Sequence, residues 1–212
     1  MLITAHGGAL GTGRNTPEFF ETVKGYAVDV IEVDVYKKKD LLYISHLPKI
    51  LPRKALTLEF VFDFIKEYGF KVNCDLKMRG ILKDVVKLAQ QKNVADRLIF
   101  TGAVSKKDLP YAAVGDVYLN AGFFCPIFPK TKNLGTIKDI IGNLNNANIK
   151  GLNLHYSFCD WQMLDKAKEL NLALSVYTVD KEKELLRLMK RKELANITTN
   201  IIDKALEIRD KI

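Results

Sequence analysis

No apolar run in this chain approaches the roughly 18 residues that a membrane-spanning helix needs, so a helical membrane protein is excluded. The first residues lack a charged n-region, a long apolar stretch and a small-residue cleavage site, so no secretory leader is expected. Cysteine is scarce: Cys74, Cys125 and Cys159 are widely spaced, form no metal motif and cannot all pair, which fits a reducing cytoplasm. There is no RNA-binding signature and no basic tract interleaved with aromatics, only short clusters such as Lys37-Lys38-Lys39 and Lys190-Arg191-Lys192. The net charge of +8 therefore reads as a solvated basic surface that tolerates phosphorylated small molecules, and no nucleic-acid partner is expected. Low-complexity segments and interdomain linkers are also missing. With 212 residues, 48% hydrophobic and 27% charged, the expectation is one globular domain over residues 1–212.

What the chain does have is alternation. Short β-branched runs recur at Leu2–His6, Val30–Val35, Lys71–Asp75, Arg97–Thr101, Asp116–Asn120, Gly151–His155, Leu172–Thr178 and Ala195–Thr199. Helical spacing follows most of them. Thr16-Pro17-Glu18 opens the first helix with an N-cap, a proline and an acid in the first turn; Thr57 opens the second. Eight such units predict an α/β fold, a single (β/α)8 TIM barrel, with a compact insertion at 36–56 after the second strand. The alternative is a doubly wound open sheet. It is disfavoured because His6-Gly7-Gly8-Ala9-Leu10-Gly11 does not match the GxGxxG fingerprint.

A barrel places reactive groups at the C-terminal ends of its strands, and His6, His46 and His155 all fall at such places. Glu32 and Asp34, two residues apart on the second strand, share a face, with Val30, Ile31, Val33 and Val35 expected to pack the other. Asp75 and Lys77 repeat that spacing on the third. Three carboxylates from neighbouring strands form an oxygen-rich set suited to a hard cation, Mg2+ or Ca2+; otherwise the acids face solvent or pair with Lys77. Asn120, Asn153 and His155 are further candidates for lining the mouth.

Ile3-Thr4-Ala5-His6-Gly7-Gly8, Asn15-Thr16, Ile31-Glu32-Val33-Asp34-Val35, His46 and Asp75-Leu76-Lys77 together resemble the ordered motifs of the glycerophosphodiester phosphodiesterase family. Those motifs read His-Arg-Gly, Glu-Asn-Thr, Glu-x-Asp, His-Asp and Glu-x-Lys. Val176-Tyr177-Thr178-Val179 and Ile197-Thr198-Thr199-Asn200 resemble its Trp-Thr-Val and closing Ile-Thr-Asp segments, so the resemblance spans nearly the whole chain. It implies hydrolysis of a small glycerophosphodiester to glycerol phosphate and an alcohol. His6 and His46 would be the acid–base pair, Glu32, Asp34 and Asp75 would hold one divalent cation, and Lys77 would face the phosphoryl oxygens. In the family a glycerol hydroxyl attacks phosphorus and water then opens the cyclic product. The chain departs from the pattern at Gly7 (Arg in the family), Arg14 (Glu), Leu47 (Asp), Asp75 (Glu), Tyr177 (Trp) and Asn200 (Asp). Arg14 is a candidate relocated phosphate ligand; the alternative is a solvated residue ahead of the Asn15-Thr16 cap. The competing function is a catalytically impaired barrel that binds phosphorylated metabolites.

Overall fold

Each β-branched run becomes one stave of a closed parallel barrel, and each amphipathic segment becomes part of its outer wall. The computed structural model describes residues 1–48, 54–124 and 133–212. The strands are β1 (Leu2–Ala5), β2 (Val30–Lys38), β3 (Leu41–Ile44), β4 (Lys71–Leu76), β5 (Leu98–Gly102), β6 (Asp116–Asn120), β7 (Ile149–His155), β8 (Ala173–Tyr177) and β9 (Leu194–Thr199). Their order is β1-β9-β8-β7-β6-β5-β4-β2-β3, and β1 also pairs with β2, which closes the ring. Apart from β3, every strand is parallel to its neighbours, so the expected eight-stranded (β/α)8 barrel is the observed one. The helices are α1 (Pro17–Val23), α2 (Leu58–Tyr68), α3 (Leu82–Lys92), the single turn α4 (Ala121–Phe124), α5 (Leu134–Leu144), α6 (Trp161–Glu169), α7 (Glu182–Met189) and α8 (Ile202–Arg209).

Local chemistry starts the helices where the sequence marks them. The Thr16 hydroxyl accepts from the Phe19 N–H at the head of α1, and Thr57 accepts from the Phe60 N–H at the head of α2. Outward-facing strand residues such as Ile31, Val33 and Val35 are buried against helix residues such as Phe20, Phe62 and Leu82. Inside the barrel, Val30, Ile99 and Tyr118 pack with Leu2, Ala173 and Ala195 into an apolar plug near the strands' N-terminal ends. Val30 thus departs from expectation. It stands two residues before Glu32, and the period of two puts it on the same inward face rather than with Ile31. Above the plug the interior turns polar: Thr4, Asn73, Thr101, Asn153, Ser175 and Asn196 are all buried. The plug closes the bottom of the barrel, and this polar layer is the floor of whatever binds at the mouth.

The segment after the second strand is a hairpin. β2 continues to Lys38, and β3 returns antiparallel to it with Val35 opposite Ile44 and Lys38 opposite Leu41. Residues 49–53 of the expected insertion, and Cys125, lie outside the described residues. Among the described residues no helix is long and apolar enough to cross a membrane.

Candidate active site

A cavity of about 520 Å³ opens at the C-terminal mouth of the barrel. Its lining includes His6, Arg14, Glu32, Asp34, His46, Asp75 and Lys77, so the residues singled out in the sequence converge on one space. Asn120 and Asn153 line it as well. His155 does not: its exposed ring turns back on its own chain, where Nδ1 lies 2.8 Å from the Ser157 hydroxyl and accepts from the Ser157 N–H.

The acids are placed by strand register. Asp34 on β2 is directly opposite Asp75 on β4, and Glu32 precedes Asp34 on the same inward face. One oxygen from each of the three carboxylates lies within 4.8 Å of the other two. Asn15, held in a left-handed conformation at φ 55°, accepts from the Asp34 N–H at 3.1 Å and donates to its carboxylate at 2.9 Å. The asparagine of the Asn15-Thr16 pair therefore anchors the acid, while the threonine caps the helix. The Gly7 N–H donates to Glu32 Oε2 at 2.9 Å. Asp75 accepts from the Thr101 hydroxyl. A Cβ on Gly102, whose φ is +79°, would stand 2.2 Å from Asp75 Oδ1, so only glycine fits beside this acid.

Lys77 completes the cluster. Its ammonium bonds to Asp34 Oδ1 at 2.7 Å and also to Asp75. Burial works against its charge, but Asp75 and Asp34 outweigh it and hold its pKa above the ordinary lysine value. One ammonium does not offset three carboxylates. Burial, followed by repulsion from Asp34 and Asp75, pushes Glu32 up to about 8, and burial also raises Asp75. A dense, under-compensated set of carboxylate oxygens fits a hard divalent cation, as the donor chemistry of Mg2+ and Ca2+ requires.

The two histidines flank these acids. His46 follows β3, and the Ser45 N–H bonds to the Asp34 carbonyl, so the hairpin returns His46 to the level of Asp34 on β2. Its Nδ1 stands 3.5 Å from Asp34 Oδ2, and Arg14 Nη1 contacts both ring nitrogens at 2.9 and 3.1 Å. His6 is held by a relay absent from the sequence expectations. Asp180 accepts from the Asn200 amide nitrogen at 2.7 Å and from its backbone N–H at 2.8 Å. A carboxylate only accepts, so the Asn200 carbonyl must face His6 Nδ1, 2.9 Å away, and Nδ1 carries the hydrogen. His6 Nε2 is then the lone-pair nitrogen, 3.9 Å from Glu32 Oε2. Burial lowers the His6 pKa, with the Asn200 bond opposing that shift. Asp180 follows the end of β8, and the only sequence signal for it was an acid at a strand's C-terminal end.

No protein-family model and no curated protein matches this chain. Solved structures do. A candidate glycerophosphoryl diester phosphodiesterase from Agrobacterium tumefaciens is 14% identical with a TM-score of 0.83, covering 100% of this chain and 98% of that one. A phosphodiesterase from Oleispira antarctica, solved with its product sn-glycerol-3-phosphate, is 18% identical with a TM-score of 0.75, covering 99% and 97%. Phosphoribosylanthranilate isomerase from Pyrococcus furiosus also superposes, at 11% identity and a TM-score of 0.62, covering 100% of both chains. At such identities the likeness shows the fold: a divergent barrel of the shape that glycerophosphodiester phosphodiesterases share.

Proposed function

We propose that this barrel hydrolyses a small glycerophosphodiester to glycerol phosphate and an alcohol. The observation that carries this reading is the convergence of His6, His46, Glu32, Asp34, Asp75 and Lys77 on one cavity at the barrel mouth. Neighbours of the same shape include one solved with sn-glycerol-3-phosphate as product, which supports a substrate of that class. Glu32, Asp34 and Asp75 would hold one divalent cation, Mg2+ or Ca2+, which when bound supplies Lewis-acid stabilisation of charge on the phosphoryl oxygens. The buried thiol of Cys74 supports a reducing, cytoplasmic setting.

His6 Nε2, free of hydrogen and kept neutral by burial, takes the proton from a glycerol hydroxyl as that oxygen bonds to phosphorus. His46, held beside Asp34 on the strand next to β1, gives a proton to the alcohol oxygen as its bond to phosphorus breaks. Water then reverses the roles: His46 takes its proton, and His6 returns one to the ring oxygen as the cyclic phosphate opens. Lys77 and Arg14 neutralise phosphoryl oxygens from two sides. Asp180 and Asn200 fix the His6 tautomer, and Asn15 fixes Asp34.

A second reading is supported by the Lys77 ammonium, which bridges Asp34 and Asp75 and so offers the acids a partner other than a cation. On that reading the barrel binds phosphorylated metabolites without turning them over. Assay of the purified protein against several glycerophosphodiesters, with added Mg2+ or Ca2+ and with a chelator, separates the two. Chelator-sensitive release of glycerol phosphate supports hydrolysis; binding with no release under any cation supports the second reading.

A further inference from the structure

The cavity has two unlike halves. The half described above is charged. Among the described residues the other is walled by Asn120, Asn153, Tyr177 and Thr178, all uncharged, with Tyr177 as the one aromatic. Burial raises the Tyr177 phenol, so it remains protonated. Asp180 also reaches this space, but both its carboxylate oxygens are engaged by Asn200.

The amide of Asn120 has a fixed orientation. The Gly102 N–H, which can only donate, points at one amide atom of Asn120 at 3.0 Å, so that atom is the oxygen. Asn153 Nδ2 donates to the same oxygen at 3.1 Å. The remaining bonds then follow in one direction: Ser175 Oγ donates to Asn153 Oδ1, Asn196 Nδ2 to Ser175 Oγ, and Thr4 Oγ1 to Asn196 Oδ1. This chain spans β1, β9, β8, β7 and β6, and no amide in it can turn over without breaking its neighbours' bonds. It ends on Asn120 Oδ1 and leaves Asn120 Nδ2 with no partner among the described residues. No buried side-chain nitrogen or oxygen lacks a partner there, so this NH2 opens into the cavity.

We infer that Asn120 is a specificity-determining donor to a hydroxyl oxygen on the alcohol half of the substrate, selecting diesters of neutral polyols over those of quaternary ammonium alcohols. The inference rests on the phosphodiesterase reading above. A rigid NH2 aims partial positive charge at the bound alcohol, which suits an oxygen lone pair and opposes a cation. A quaternary ammonium is held by several aromatic faces, and among the described residues this wall supplies one.

The test measures calorimetric affinities of glycerophosphoglycerol and glycerophosphocholine with Mg2+ in a His6→Ala background, where turnover does not intervene. Glycerophosphoglycerol is expected to bind at least about tenfold more tightly, the scale of one hydrogen bond to a polar group. Asn120→Asp keeps an acceptor for Gly102 and Asn153 but replaces the NH2 with a carboxylate oxygen, so the preference should collapse to within about twofold or invert. Asn120→Ser, which keeps an acceptor without a charge, should also erode the preference and covers the case in which the aspartate variant does not fold. Both diesters binding with a ratio that neither substitution moves overturns this inference while leaving hydrolysis in place. Equal weakening of both diesters places Asn120 on the shared phosphoryl group and overturns it too. Failure of both diesters to bind every form sinks the phosphodiesterase reading and this inference together.

Discussion

Neutralising Glu32 should make the metal-free protein more stable and abolish the proposed hydrolysis. Glu32 is 5% exposed, and its main anchor is the Gly7 N–H, which a glutamine carbonyl can equally satisfy. Burial, then Asp34 and Asp75, raise its carboxyl from 4.5 to about 8. The fold therefore keeps a proton that the unfolded chain releases. Stability is fully present below the unfolded value of 4.5 and is lost progressively as pH rises towards about 8. At pH 7 the loss is about 3 kcal/mol, since each pH unit above 4.5 costs ~1.4 kcal/mol until the folded value is reached. Glu32→Gln carries no such loss. For a domain of this length each kcal/mol moves Tm by about 2–4 °C, so with chelator at pH 7 the variant should melt about 6–12 °C above the parent. At pH 5 the two should nearly coincide. Added Mg2+ or Ca2+ should raise the Tm of the parent and leave the variant where it is, because binding to the folded state alone is stabilising. Differential scanning calorimetry across pH 5–8, with chelator and with each cation, reads all of these. A parent whose Tm tracks that of the variant across the whole pH range would refute the reasoning, because burial would then not oppose the charge.

The proposed acid–base pair has a plain test: His6→Ala and His46→Ala should each lower kcat by about a hundred- to ten-thousandfold, and full kcat in either variant removes that residue from the chemistry. Arg14→Ala should raise KM by about tenfold or more, the cost of a lost charge-assisted hydrogen bond to phosphate; an unchanged KM sinks its role as a phosphate ligand.

Legibility followed the range of the interaction. Strand positions were readable to within one or two residues wherever a β-branched run packs against helices, as at Asp116–Asn120. The exception is β2, expected to end at Val35 and observed to reach Lys38. Past the barrel mouth it pairs with β3, and polar Tyr36-Lys37-Lys38 suits a ribbon that water reaches; Lys37 there bonds to Asp84. The i, i+2 pair Glu32 and Asp34 was legible because the strand period alone sets its face. Asp180 and Asn200 were not. The Asn200–His6 contact joins residues 194 positions apart, Asp180 reaches His6 through Asn200, and no local pattern encodes which strand ends meet. The direction of the Asn120 amide was likewise unreadable, because it depends on a backbone N–H from another strand.

The departure at Gly7 follows from packing and carries the last prediction. A Cβ on Gly7 would stand 2.9 Å from the Glu32 backbone carbonyl and 3.3 Å from its Oε2, so any side chain there must push the strand that carries two of the three acids. Backbone in a closed barrel yields little. The neighbouring Gly8 is filled in another way: a Cβ there would meet Arg14 Cγ at 2.7 Å and Arg14 Cα at 3.2 Å, so the arginine stem crosses over this glycine. From that path the guanidinium reaches His46 and the cavity. The bare Gly7-Gly8 pair and the displaced positive charge are thus one arrangement, in which the loop is packed to bring Arg14 over the mouth. Gly7→Arg, which introduces the residue of the family that the motifs resemble, should therefore fail to supply that residue's role here. It should cost about 1–3 kcal/mol by overpacking, lower Tm, and lower kcat by displacing Glu32 from the proposed cation site. In the Arg14→Ala background it should not recover the lost affinity. If Gly7→Arg left Tm unchanged and rescued the KM of Arg14→Ala, the loop would have room for the arginine beside His6, and the two glycines would owe nothing to the path of Arg14.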